Sequence, residues 1–300
     1  MQVFIPRVRL TNYKSIAACD VTLGPLTFLV GPNGSGKSNF VDALRLVTDA
    51  LRTSLDHALR DRGGIKEVRR RSAGHPTHFE IRLDFELERT RGYYGFRIGA
   101  KPKGEYEVQH DECVLEGSSC FRVKQGQVTA SDLPAPPAAS SDRLYLVNAS
   151  GLPPFRPVYE ALSSMGFYNL NPDKIRDLQS PDPGKLLLRD GGNIASVLDQ
   201  LASHAPETKR RIEEYLGKVV PGIRGVDTRV LGPKETLEFR QTVVETTSPW
   251  RFTAANMSDG TLRALGVLVA MFQSSNGTGK CPSWVSRSRR LHCILPRPPC

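Results

Sequence analysis

The residues of this chain best suited to chemistry are Gly31-Pro32-Asn33-Gly34-Ser35-Gly36-Lys37-Ser38, with Asn39 next. They fit the phosphate-loop pattern G-x-x-x-x-G-K-[ST] without a mismatch. Glycines at such a turn let successive backbone N–H groups point inward, and a helix start adds partial positive charge, so the loop makes a concave anion site. Lys37 is then placed to reach the β- and γ-phosphates, and the Ser38 hydroxyl to ligate Mg2+. The spacing predicts a site for a nucleoside triphosphate with Mg2+.

A second candidate is Ser258-Asp259-Gly260-Thr261, which opens an apolar helical stretch from Leu262 to Phe272. Taken alone, Ser258 is an ordinary helix N-cap. A hydroxyl beside a free helix N-terminus also suits a phosphate. The six cysteines show no C-x-x-C spacing, and His75 and His78 with Cys113 and Cys120 fit no standard zinc motif.

The flanks of the loop agree with this chemistry. Leu26 to Val30 is a short apolar run of the kind that forms a buried strand, and Asn39 to Leu51 places Phe40, Val41, Leu44, Val47 and Leu51 at helical spacing. Val8 to Ile16 alternates like a strand, with Cys19 to Leu23 as its hairpin partner. From His78 to about Val123, alternating runs punctuated by Gly and Pro predict an antiparallel meander. Helices are expected near Val158–Met165, Ile194–His204 and Glu207–Leu216, and strands at Gly225–Val230 and Glu235–Thr246. The pattern divides into an N-terminal lobe, 1–130, a Pro- and Ala-rich linker, 131–142, and a second lobe, 143–275.

Composition bounds the function classes. A content of 39% hydrophobic and 24% charged residues is ordinary for a soluble globular protein, and no apolar run is long enough to span a membrane. The first residues lack the features of a signal peptide, so a cytoplasmic location is expected. The net charge of +10 is unevenly placed: Arg287, Arg289, Arg290 and Arg297 lie in a tail without acids. Arg60, Arg62, Lys66, Arg69, Arg70 and Arg71 form a second cluster, a candidate for contact with a nucleic-acid backbone or simply a solvated loop.

Four segments together resemble one family. They are Tyr13-Lys14-Ser15, the GPNGSGKSN run from Gly31 to Asn39, the LRDGGNIASVL run from Leu188 to Leu198, and Asn256 to Thr261. The chain resembles the RecF-like ATPases of the ABC/SMC superfamily, the AAA-type kind without coiled coils. The resemblance implies an α/β P-loop ATPase head: a mixed sheet around the phosphate loop, an antiparallel β lobe and a helical lobe. It implies that Ser258, Asp259, Gly260 and Thr261 form a signature motif facing ATP held by the opposite subunit, so that ATP closes a homodimer. Lys14 is implied as a nucleotide contact; the Q-loop glutamine has no place in the chain, with Gln179 only a guess for it. DNA is the implied partner, in repair or maintenance. The alternative is an ATPase switch in a defence system controlling a nuclease or toxin effector, or a non-hydrolysing remnant of such a protein. The LRDGGN run is characteristic of the family but has no assigned chemistry.

The family pattern requires an apolar strand ending in an acidic pair after the signature helix, one carboxylate organising Mg2+ and its neighbour activating water. No Asp or Glu follows Asp259 here. Back-translation of Cys281 to Leu295 with freely chosen synonymous codons, read from one base earlier, can give Val-Pro-Leu-Val-Gly-Ile-Glu-Glu-Pro-Glu-Thr-Ala-Leu-His-Pro, which resembles the missing element. The expectation is that 276–300 is an out-of-frame, disordered tail left by one lost base near codon 280. A chain in this frame would keep Lys37, Ser38 and the signature, and hydrolyse little or no ATP.

Overall fold

The computed structural model describes residues 3–74, 76–87, 90–133, 135–242, 249–273, 284–287 and 292–295. Contacts divide the chain into two units, 1–166 with 290–298, and 167–289 with 299–300. The Pro- and Ala-rich stretch at 131–142 lies inside the first unit.

The first unit begins with a hairpin, β1 (Val3–Tyr13) and β2 (Ile16–Thr22), followed by the short β3 (Thr27–Leu29). Helices α1 (Lys37–Arg52), α2 (Leu55–Arg60) and α3 (Ile65–Val68) come next. The meander is β4 (His78–Leu87), β5 (Thr90–Ala100), β6 (Tyr106–Leu115), β7 (Cys120–Lys124) and β8 (Gln127–Ser131). Two helices, α4 (Tyr145–Ala149) and α5 (Arg156–Ser163), follow. The meander joins the hairpin in a seven-stranded sheet of order β2-β1-β4-β5-β6-β7-β8, antiparallel throughout. Alternation sets its faces: Phe79, Ile81, Leu83, Phe85 and Leu87 of β4 point inward, and the residues between them stay partly wet. The predicted apolar stripe of α1 is buried as expected, including Phe40, Val41, Leu44, Val47 and Leu51.

The second unit opens at β9 (Gly166–Tyr168) and α6 (Pro172–Arg176), and continues with α7 (Ile194–His204) and α8 (Pro206–Val219). A three-stranded antiparallel sheet, β10 (Ile223–Leu231), β11 (Lys234–Gln241) and β12 (Trp250–Thr253), precedes α9 (Asp259–Phe272). Ile194, Val197 and Leu198 of α7 are buried, as are Val226, Leu237 and Phe239 of the sheet on which α7 packs. Past residue 242 the strand expected to reach Thr246 runs outside the described residues. In the tail, Trp284–Arg287 is strand β13 and His292–Leu295 is strand β14. The rest of 274–300 lies outside the described residues, as does His75.

One expectation fails at the centre of the fold. Leu26 to Val30 reads as a buried strand, yet Leu26, Phe28 and Val30 are 49%, 53% and 73% exposed. Among the described residues β3 pairs only with β14, antiparallel, from Thr27↔Ile294 to Leu29↔His292. A strand with one neighbour and uncovered faces leaves its apolar side chains in water. No helix among the described residues is long and apolar enough to cross a membrane.

The sheet also buries an acid. The register between β5 and β6 shifts between Arg97 and Ile98, which moves Asp111 onto the inner face with Cys113 and Leu115. Asp111 Oδ2 accepts the Tyr145 backbone N–H at 2.6 Å, while Oδ1 has no partner. Burial pushes the Asp111 carboxyl up to about 7, against the opposing pull of that N–H. A carboxyl whose folded pKa is raised is most favourable when protonated, so its ionisation destabilises the fold progressively from pH 4 to 7. Asp111→Asn is therefore expected to stabilise the chain more at pH 8 than at pH 5, by a difference on the order of 2 kcal/mol. Urea unfolding at the two pH values checks this; equal increments would refute it.

Candidate functional site

The loop from Gly31 to Gly36 leaves β3 and turns into α1. Gly34 and Gly36 adopt φ of 83° and 90°, in the left-handed region that a side chain would strain. The helix begins as Phe40 N–H donates to the Gly36 carbonyl at 2.9 Å. The Lys37 ammonium folds back over the loop and donates to the Gly31 and Pro32 carbonyls at 2.7 and 2.8 Å and to Ser35 Oγ at 3.2 Å. The lysine thus holds the loop closed on itself, with the cation centred where an anion would be met. Ser38 and Asn39 follow in the first turn of α1, both half-buried.

The β1–β2 turn abuts this loop. Asn39 Nδ2 donates to Ser15 Oγ at 2.7 Å, and Ile16 and Ser15 side chains lie beside Gly36. Lys14, at φ 47°, sends its ammonium to Asp42 Oδ2 on α1 at 2.5 Å. Tyr13 donates its hydroxyl to the same oxygen at 2.9 Å. Arg62 completes the group, donating from Nε to Asp42 Oδ1 at 3.2 Å and from Nη2 to Asp49 Oδ2 at 2.9 Å. Burial opposes the charge on Asp42, but the Lys14 hydrogen bond and the charges of Arg62 and Lys14 overcome it and hold the carboxyl below its usual range. Lys14 is therefore engaged with α1 in this arrangement.

The basic cluster needs correction at Arg62. Its side chain is 5% exposed and belongs to this buried network, with no face for a nucleic acid. Arg60 pairs with Asp56 at 2.9 Å, Arg71 pairs with Glu67, and Arg69 Nη1 donates to the Pro76 carbonyl at 2.8 Å. Gln179 is 3% exposed, its Oε1 accepts the Ala195 N–H at 3.0 Å, and its backbone exchanges hydrogen bonds with Glu235. It caps the start of α7.

In the second unit, Ser258, Asp259 and Gly260 are exposed and Thr261 is buried. Ser258 Oγ caps α9, accepting from Thr261 N at 3.2 Å and lying 2.9 Å from Thr261 Oγ1. Asp259 Oδ1 receives Arg176 Nη2 at 2.6 Å. The sequence offered no sign of Arg176 or of the Asp42–Arg62 pairing, because both join residues distant along the chain.

Removal of Arg62 takes from Asp42 and Asp49 the nearly buried cation they share. Arg62→Ala is expected to destabilise the chain by about 3 kcal/mol, read by thermal unfolding, with Arg62→Lys recovering part of the loss. An unchanged melting temperature would refute the network.

A family model described as "AAA domain, putative AbiEii toxin, Type IV TA system" matches residues 26–146. The chain is 48% identical over 48 residues to the chromosome partition protein Smc of Halothermothrix orenii, covering 15% of this chain and 4% of that protein. It is 41% identical over 44 residues to the DNA replication and repair protein RecF of Vibrio vulnificus, covering 14% of this chain and 12% of that one. The chain therefore aligns with only a small part of the length of these curated relatives. A solved structure of the recombination mediator protein RecF with a bound ATP analogue is a distant likeness. It covers 95% of this chain and 85% of that one at 10% identity and a TM-score of 0.41. Residues 26–146 are thus similar to an AAA-domain family, and short segments of the chain are similar to Smc and RecF proteins.

Proposed function

We propose that this protein binds ATP at the Gly31–Ser38 loop and that ATP closes two copies into a clamp acting on DNA. The observation that carries the reading is the loop itself: left-handed glycines, a helix start, and a Lys37 ammonium poised over the turn. Ser258 to Thr261, a capped helix start exposed from Ser258 to Gly260, supports a second half-site that receives the γ-phosphate of ATP held by the partner copy. The names of the Smc and RecF relatives support DNA as the partner. The description of the matched family supports the second reading, a switch in a toxin–antitoxin or other defence system with a protein effector.

Ser38 fits Mg2+ as a hydroxyl ligand, and phosphate oxygens suit the rest of the shell. The bound ion would neutralise phosphate charge. Among the described residues its neighbour Asp42 is already committed to Lys14, Tyr13 and Arg62, so a further carboxylate must come from elsewhere. The shifted frame supplies one, Glu-Glu after an apolar strand, and the exposed Leu26, Phe28 and Val30 are the kind of surface such a strand would cover. We read the chain in its present frame as an ATP binder without turnover.

Titration with a fluorescent ATP analogue is expected to show micromolar binding that Lys37→Ala weakens on the order of a hundredfold. Hydrolysis is expected only after one base is restored near codon 280. Binding unaffected by Lys37→Ala would sink the site. Turnover by the 300-residue chain at the rate of the restored one would sink the lost-base reading.

A further inference from the structure

The LRDGGN run that resemblance left without a role forms a tight, heavily tied turn. Asn193 locks it: its Oδ1 accepts Leu188 N at 2.8 Å, and its Nδ2 donates to Asp182 Oδ2 at 2.8 Å and to the Leu186 carbonyl at 3.0 Å. Asp190 Oδ1 accepts Gly192 N at 3.0 Å. Asn193 is only 3% exposed, so these bonds are shielded from water.

The turn holds the segment that leads into α6. Asn169 N donates to the Arg189 carbonyl at 2.8 Å, and Asn171 N to the Asp190 carbonyl at 2.9 Å. The Asn171 side chain then caps α6 through Asp173 N at 3.0 Å. Gly191, at φ 84°, lets the turn approach so closely that a Cβ there would lie 2.8 Å from Ile175 Cγ1. On its other side this segment meets the signature helix, where Arg263 Nη1 donates to the Leu170 carbonyl at 3.1 Å.

At the end of α6 stands Arg176. It donates to Asp259 Oδ1 at 2.6 Å, to the Met257 carbonyl at 3.3 Å and to Asp173 Oδ1 at 2.8 Å. Asp259 sits in the middle of the exposed Ser258–Gly260 turn, where a bare carboxylate would repel an incoming phosphate. The guanidinium neutralises it and draws it to one side, and it fixes the backbone entering Ser258 through the Met257 carbonyl.

We propose that Arg176 is a positioning residue that makes the signature turn receptive to the phosphate of an ATP held by a second copy, and that the Leu188–Asn193 turn aims it. This rests on the clamp reading given above. The LRDGGN run then sets α6, and with it the guanidinium, against Asp259. Charge compensation distinguishes this role from plain packing, because removing Asp259's charge makes Arg176 dispensable.

The test reads two quantities on the full chain with ATP and Mg2+. Fluorescent-nucleotide binding reports the phosphate loop, and light scattering across concentrations reports dimerisation. Arg176→Ala is expected to weaken ATP-dependent dimerisation on the order of tenfold, with the loss confined to dimerisation. Arg176→Ala combined with Asp259→Asn is expected to regain most of that loss. Gly191→Ala is expected to copy Arg176→Ala by displacing α6. Arg176→Gln serves as the neutral, better-filling substitute if the alanine chain does not fold. Dimerisation of the Arg176 variants at the original strength overturns the inference and leaves the clamp standing. A loss that Asp259→Asn does not relieve reduces Arg176 to packing and also overturns it, and an unaffected Gly191→Ala removes the aiming role. If the unsubstituted chain binds ATP and stays monomeric, the clamp fails and takes this inference with it.

Discussion

One carboxylate, Asp42, governs how the first unit presents its phosphate loop. It lies on the helix that follows the loop and receives Lys14 and Tyr13 from the β1–β2 hairpin and Arg62 from the segment after α2. Three parts of the chain remote in sequence therefore meet on a single side chain. The Asn39–Ser15 hydrogen bond adds a second tie between the same helix and hairpin. Because α1 begins at the loop, any tilt of the helix would re-aim the loop's N–H groups. The Asp42 ties set that tilt, and partial burial makes them stiffer than surface pairs of the same composition.

The loop in turn is satisfied by its own lysine. Lys37 directs its hydrogen bonds to the Gly31 and Pro32 carbonyls, so a phosphate must draw part of that ammonium away from the backbone. The exchange replaces neutral acceptors with charged ones, which favours the phosphate. The signature turn is arranged in a parallel way: Ser258 Oγ is engaged with Thr261 while its neighbours remain open to solvent. Each of the two turns thus has its hydrogen bonds satisfied within its own unit.

Much of this was legible from the residues. The glycine turn before α1, the α1 stripe, the antiparallel meander and the start of α9 follow from local pattern, because glycine turns, alternation and helical spacing are local properties. The parts that were not legible depend on distance along the chain. Arg62 looked like one more member of a basic run, and only the fold places it against Asp42 and Asp49. Asp111 lies in the alternating run of β6, and the shifted register turns it inward. Gln179 was chosen for its type, and its burial came from pairing with Glu235 and the start of α7. Leu26 to Val30 has the composition of a buried strand, but burial depends on neighbours that a strand's own residues do not encode.

That last feature reaches beyond nucleotide chemistry. Leu26, Phe28 and Val30 present apolar side chains to water on and beside β3, which has a single neighbour among the described residues. Such a surface is a template for self-association and a handle for chaperones and proteases. The same run that leads into the glycine-rich turn thus also offers a surface through which self-association or quality control could act on the chain.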